Sequence, residues 1–183
     1  GSIEFADYLV SQNFDVNWMI NMDILGSSTG AEGSINDREI RIFSADPNEG
    51  AGSESRQLAR AAQVIVRRHS PDMQVVLIPA GDRDGRYGDH LSFSERGLPA
   101  IRFIEMNEDA SRVHNDRDTA DDIQALYLTR ATQTVLVTAT ALADGVRPPQ
   151  NLVLRDEGNG LRTLVWESRP EAVGYLIALR PVG

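Results

Sequence analysis

The sequence predicts an α/β domain, a mixed and mostly parallel sheet flanked by helices, followed by a short antiparallel β segment. Three observations carry this expectation. Short runs of branched and aromatic residues alternate with longer amphipathic runs in the order strand, strand, helix, strand, helix, strand, helix, which places helices over a parallel sheet. Polar, Gly-containing stretches fall between these runs, where loops belong. After Pro148 and Pro149 the composition changes, and only short β-like runs separated by turn residues follow.

Ile3, Ala6, Leu9 and Val10 share one helical face, so a short helix is expected over residues 3–12. Residues 16–23 read as a buried strand ending in Asp23, with Gly26 just beyond. Residues 27–33 are a loop, and 39–44 alternate like a strand with one wet face. A loop over 46–53 leads to Ser53 or Ser55, either of which can cap a helix reaching His69, with Leu58, Ala61, Ala62, Ile65 and Val66 inward. A third strand covers 74–78. Asp89 and His90 then open a helical turn that Gly97 stops, and Pro99 starts a fourth strand through Ile104. The longest helix is expected over 119–143, capped by Asp118 or Thr119 and closed by Gly145, with Ile123, Leu126, Tyr127, Ala131, Thr134, Val135, Thr138 and Leu142 on one face. The tail predicts three short strands, 152–154, 161–166 and 174–179.

All 18 basic residues are arginine, and the absence of lysine rules out Schiff-base chemistry and a Walker-type phosphate lysine. Arginine-rich codon usage accounts for the bias without any function. The net charge is −9, and residues 1–145 carry about −10 of it, which disfavours nucleic acid as a partner. Without cysteine there is no disulfide, thiolate site or cysteine nucleophile, so a bound metal needs carboxylate and imidazole ligands. No apolar run reaches the roughly 20 residues of a membrane helix. The N-terminus shows no basic-then-apolar leader; if the protein is exported, its signal lies outside this chain.

The chemistry concentrates between residues 84 and 119, where two of the three histidines and many acids fall on loops at the ends of regular elements. On residue type alone, each candidate has two readings. Asp23, at a strand end, suits a cation ligand or a turn cap. His114, near Asp116 and Asp118, suits a zinc ligand with its second ring nitrogen held by a carboxylate, or a solvated loop residue. Asp89 orients a ligand or caps the helix that His90 begins. His69, beside Arg67 and Arg68 at a helix end, reads as surface.

Taken together, the segments Asn-Met-Asp-Ile-Leu-Gly at 21–26, Asp-His-Leu-Ser-Phe-Ser-Glu-Arg-Gly-Leu-Pro-Ala-Ile at 89–101 and His-Asn-Asp-Arg-Asp-Thr at 114–119 resemble the C-terminal half of the M28 family of zinc peptidases. These are co-catalytic di-zinc exopeptidases, mostly aminopeptidases, and glutaminyl cyclases share their fold. The three segments with the elements between them cover residues 1 to about 144. The resemblance implies a zinc-exopeptidase fold and two zinc ions, Asp23 binding one and His114 the other. Asp89 and His90 would stand near the substrate pocket, and Asp118 would fix the loop of His114. The family's His-x-Asp pair and Glu-Glu pair, which supply the bridging ligand, a further ligand and the general base, have no match here. This chain is therefore expected to hold one ligand per metal and to be inactive alone, the rest coming from an N-terminal half on the same precursor or on another chain. Many relatives place an oxyanion-donating tyrosine before the ligand histidine; Val113 stands there, so the donor is left open and Tyr87 is one candidate substitute.

The tail, with Pro148-Pro149, Trp166 and Tyr175, resembles the first strands of a fibronectin type III-like sandwich, giving domains over 1–145 and 146–183. The whole resembles a secreted or periplasmic zinc aminopeptidase acting on peptide or protein substrates, without a membrane span. A glutaminyl cyclase or carboxypeptidase-like relative on the same fold is one alternative, and a non-catalytic binding module is another.

Overall fold

A computed structural model describes residues 1–46 and 53–177, which belong to two compact units, Gly1–Ala141 and Leu142–Gly183. The first unit runs α1 (Ser2–Ser11), β1 (Met19–Met22), β2 (Glu39–Phe43), α2 (Glu54–His69), β3 (Gln74–Ile78), α3 (His90–Ser94) and β4 (Ala100–Glu105). A 3-10 turn at Ala120–Asp122 and α4 (Ala125–Asp144) follow. The four strands are ordered β1-β4-β2-β3; β1 pairs with β4 and β2 with β3 in parallel, while β2 and β4 are antiparallel. The sheet is thus mixed and mostly parallel with helices packed on it, as the sequence predicts.

β4 is the structural centre because all six of its residues are buried, as expected of a strand bordered on both sides. The Ser55 hydroxyl accepts the Ala100 N–H at 3.1 Å and ties the start of α2 to it. Ser53 caps α2 by accepting the Arg56 N–H, so the first of the two candidate serines is the cap. Gly97, at φ 76°, ends α3 in the left-handed conformation that favours glycine, and the chain turns directly into Pro99 and β4. Ala6 of α1, Phe93 of α3 and Ala100 of β4 form one buried cluster, with Phe5 edge-on to Phe93 at 6.1 Å. Tyr127 joins α4 to the sheet: its hydroxyl donates to the Glu39 carbonyl at 3.0 Å and accepts the Met106 N–H at 3.3 Å.

Two expectations are corrected here. The strand predicted over 16–23 is only Met19–Met22 and lies half-buried at the sheet edge, with Met22 56% exposed. Its ladder starts where its partner does: Met19 donates to the Pro99 carbonyl and pairs with Ala100, and the chain before Pro99 is turning, leaving residues 16–18 without a strand to join. The helix predicted from 119 is interrupted, because Ile123 adopts an extended conformation (φ −73°, ψ 116°) between the 3-10 turn and α4. The interruption is fixed from outside. The Gln124 N–H donates to the Gly26 carbonyl at 3.0 Å and its side-chain oxygen accepts the Ser28 N–H at 2.7 Å. Ile123 and Leu126, expected on the inner face, are accordingly exposed, while Tyr127, Ala131, Thr134, Val135 and Thr138 are buried.

In the second unit β5 (Gln150–Gly158) and β6 (Leu161–Glu167) form an antiparallel hairpin. Asn159 and Gly160 turn it with φ of 54° and 81°, the positive pair of a two-residue hairpin loop. Trp166 packs edge-on to Tyr175 at 5.3 Å. Of the third predicted strand, residues 174–177 are not in a ladder, and 178 and 179 lie outside the described residues. Arg169 holds that segment otherwise, donating its N–H to the Tyr175 hydroxyl at 2.5 Å and its Nε–H to the Pro148 carbonyl at 2.9 Å.

Candidate functional site

The carboxyl ends of β1 and β4 open into a cleft of about 170 Å³, the position at which parallel strands of an α/β sheet present ligand groups. Ile24 and Ser27 follow β1 on one wall. Glu105 closes β4, and Glu108, Val113 and Asp118 come from the loop beyond it. The wall is acidic, carrying Glu105, Glu108, Asp109, Asp118 and Asp122 against one lining cation, Arg112, which is ion-paired to Asp122.

The residues singled out from the sequence are distributed around this cleft unequally. Asp118 lines it. Asp23 and His114 do not line it, although their sequence neighbours Ile24 and Val113 do. His114 is exposed and sits at φ 61°, a left-handed conformation in a non-glycine residue. Asp89 occupies the N-cap position of α3 without making a side-chain cap bond, and is exposed. His90 is 2% exposed; burial first, and the Arg102 charge second, hold its pKa down at about 4. Tyr87 is 76% exposed and does not line the cleft.

Behind the cleft lies a charge network that sequence reasoning did not find. Arg102, fully buried in β4, donates from Nη2 to Asp82 at 2.5 Å and from Nη1 to Asp23 at 3.4 Å, and its guanidinium lies 4.5 Å from the centre of the Phe43 ring. Arg86 reaches Glu108 at 2.9 Å and Asp23 at 3.6 Å, and Arg83 reaches Glu108 at 3.1 Å. Burial opposes the charge on Asp82, but hydrogen bonds from the Arg83 N–H and from Arg102 outweigh it and hold its carboxyl below the usual range. One signal was available: an arginine at the middle of Ala-Ile-Arg-Phe-Ile-Glu, in a strand read as buried, demands carboxylate partners elsewhere. Glu105 was missed as well. Burial pushes its carboxyl up to about 7, only partly offset by the Ser27 N–H donating to Oε2 at 2.8 Å, while the charges of Glu108 and Asp23 push the same way as burial.

Gly88 is what lets Arg102 and His90 share this space. A Cβ on Gly88 would lie 2.5 Å from Arg102 Cδ and 2.9 Å from both Arg102 Nη1 and His90 Nδ1. Because Arg102 is pinned at its far end, it cannot step aside, and Gly88→Ala is expected to cost about 1–3 kcal/mol. Urea unfolding of the variant measures this; a loss below about 0.5 kcal/mol would show that the network yields.

The donor set decides whether these residues can hold zinc by themselves. Among the described residues no group of three or more His, Asp or Glu side chains is arranged to hold a metal ion, and the Asp23 carboxylate is engaged by Arg86 and Arg102. A stable zinc site requires three or four such ligands, so the residues present do not make one.

Residues 1–139 match the family described as Peptidase family M28. The chain belongs to peptidase family M28. Among its relatives, a protein of Pyrenophora tritici-repentis named "Probable zinc metalloprotease" is 29% identical over 180 residues, covering 84% of this chain and 37% of its own length. One of the same name from Pyricularia oryzae is 31% identical, covering 99% of this chain and 43% of itself. The M28 chain thus spans about two fifths of the length of these relatives. Among solved structures it resembles the Legionella pneumophila LapA aminopeptidase, with TM-score 0.58, 20% identity, and 80% of this chain against 36% of that one. The zinc aminopeptidase BSAP of Bacillus subtilis gives TM-score 0.56 at 20% identity, with 78% against 32%. These two likenesses support the fold.

Proposed function

We propose that this M28 chain is part of a zinc-dependent aminopeptidase that removes residues from the N-terminus of peptides. Asp23 and His114 each give one metal ligand, and the donors that complete a two-zinc site come from outside these residues, on the same precursor or on another chain. The observation that carries this reading is the acidic cleft at the carboxyl ends of β1 and β4, whose lining includes Ile24 and Val113, the sequence neighbours of Asp23 and His114. The names of the relatives, zinc metalloproteases and zinc aminopeptidases, support the metal and the reaction class. The hairpin of the second unit, with its Trp166–Tyr175 contact, is in this reading the start of a fibronectin type III-like attachment module on a secreted or periplasmic enzyme.

The test begins with metal content. After dialysis against metal-free buffer, the 183-residue chain is expected to retain essentially no zinc by elemental analysis, because it offers about one ligand per ion. Two zinc ions per chain would overturn the ligand assignment. In the zinc-loaded complete protein, Asp23→Ala and His114→Ala are each expected to lower hydrolysis of leucine anilide by at least about a hundredfold. Full activity in either variant would remove that residue from the metal site.

A further inference from the structure

We propose that Glu105 receives a positively charged nitrogen of the substrate, and so sets which peptides the cleft accepts. This rests on the peptidase reading above and adds to it a residue and a ligand charge.

Glu105 differs from Asp23, Asp82 and Glu108 in having no ion-paired partner among the described residues. Asp23, Asp82 and Glu108 each face at least one arginine within ion-pair distance. Glu105 is only 2% exposed, yet among the described residues no arginine lies within that distance of its carboxylate. Arg41 acts on the carboxyl only from a distance, its charge drawing the pKa down against burial: its Nε donates to the Glu105 backbone carbonyl at 3.0 Å, and its Nη2 is 3.8 Å from Glu108. The Ser27 N–H orients the carboxylate through Oε2 but brings no full positive charge. A buried carboxyl without a paired cation is costly to ionise, and a cationic ligand offsets that cost on binding.

The surroundings select the same charge. Of the other lining acids, Glu108 is paired with Arg83 and Arg86 and Asp122 with Arg112, which leaves Asp109 and Asp118 to add negative charge to the cleft beside Glu105. Ile24, Val113 and Ile123 supply apolar lining suited to the aliphatic carbons next to a charged nitrogen. Two sources offer such a nitrogen: the free α-ammonium of a peptide, and the side chain of lysine or arginine.

Both can be separated by experiment. In the wild-type chain, leucinamide, Nα-acetyl-lysinamide and the neutral Nα-acetyl-leucinamide are titrated while the Ser27 amide resonance is followed by NMR. A shift with leucinamide assigns the α-ammonium, and a shift with Nα-acetyl-lysinamide alone assigns the side chain. An equal shift with the neutral probe, or no shift with either cation, overturns the proposal, and this comparison needs no variant. Glu105→Gln keeps an acceptor for Ser27 and removes only the charge. In the zinc-loaded complete protein it is expected to raise KM about tenfold or more with kcat changed less than about threefold. The rise covers leucine and lysine anilides alike for the α-ammonium, and lysine anilide alone for the side chain. An unchanged KM, or equal losses in kcat and KM for every substrate together with a lowered Tm, marks a structural role and overturns the proposal. If the zinc-loaded complete protein hydrolyses no anilide, the peptidase reading fails while the NMR titration still decides Glu105.

Discussion

Arg102→Met should destabilise the fold by about 3–5 kcal/mol, the cost of removing one partner from a buried charge pair. Arg102 is fully buried, and Asp82, at 2.5 Å, has a side chain only 8% exposed, so losing the guanidinium leaves a poorly solvated carboxylate with only the Arg83 N–H at 2.8 Å and the half-exposed Arg83 guanidinium at 3.5 Å as partners. Methionine fills much of the volume and can still pack on Phe43, which confines the loss mainly to electrostatics. Two further variants separate the causes. Arg102→Lys keeps the charge but not the fork that spans Asp82 and Asp23, and is expected to recover only part of the stability. The double variant Arg102→Met with Asp82→Leu removes both charges and is expected to be more stable than Arg102→Met alone. Urea unfolding at neutral pH reads all three, and a loss under about 1 kcal/mol for Arg102→Met would show that the network contributes little.

Local chemistry made much of the fold legible. Ser53 capping α2, the β3 boundaries at Gln74 and Ile78, and the stop at Gly97 all follow from residues within a few positions of the feature they determine. The expectations that failed concern long-range partners. Nothing between residues 119 and 126 announces a break in the helix, because the break is made by Gly26 and Ser28, about a hundred positions away. Residues 16–18 have strand-like side chains but no neighbouring strand to pair with.

The site divides in the same way. Asp23, His114 and Asp118 could be picked out as polar residues at the ends of apolar runs; Asp118 lines the cleft, and Asp23 and His114 each stand next in sequence to a lining residue. Glu105 and Arg102 sit inside an apolar run and read as strand residues. Their importance depends on which charges face them, and those come from Asp23 just after β1, from Arg41 of β2 and from the loop through Asp82 and Arg86.

Glu105 and His90 should make stability depend on pH in opposite senses. Glu105 has its carboxyl raised from 4.5 to about 7, by burial first. Between those values the native state holds a proton that the unfolded chain releases, so its contribution is present below pH 4.5 and is lost as pH rises through 7. His90 is lowered from 6.5 to about 4, again by burial first. Its contribution is present above pH 6.5 and is lost as pH falls towards 4, because the unfolded chain gains a proton that the native state refuses. Each effect is at most ~3 kcal/mol, and screening in the open cleft reduces the first. In the wild type the two oppose each other between pH 4.5 and 6.5. Removing one should expose the other: relative to wild type, Glu105→Gln should gain a stability that climbs more steeply from pH 4.5 to 7, and His90→Phe one that falls more steeply over pH 4 to 6.5. Urea unfolding at half-unit pH steps gives the three curves, and the differences between them cancel the background of the other acids. Parallel curves would mean that neither group is held away from its ordinary protonation, and that the Glu105 carboxyl is solvated well enough to need no counter-ion.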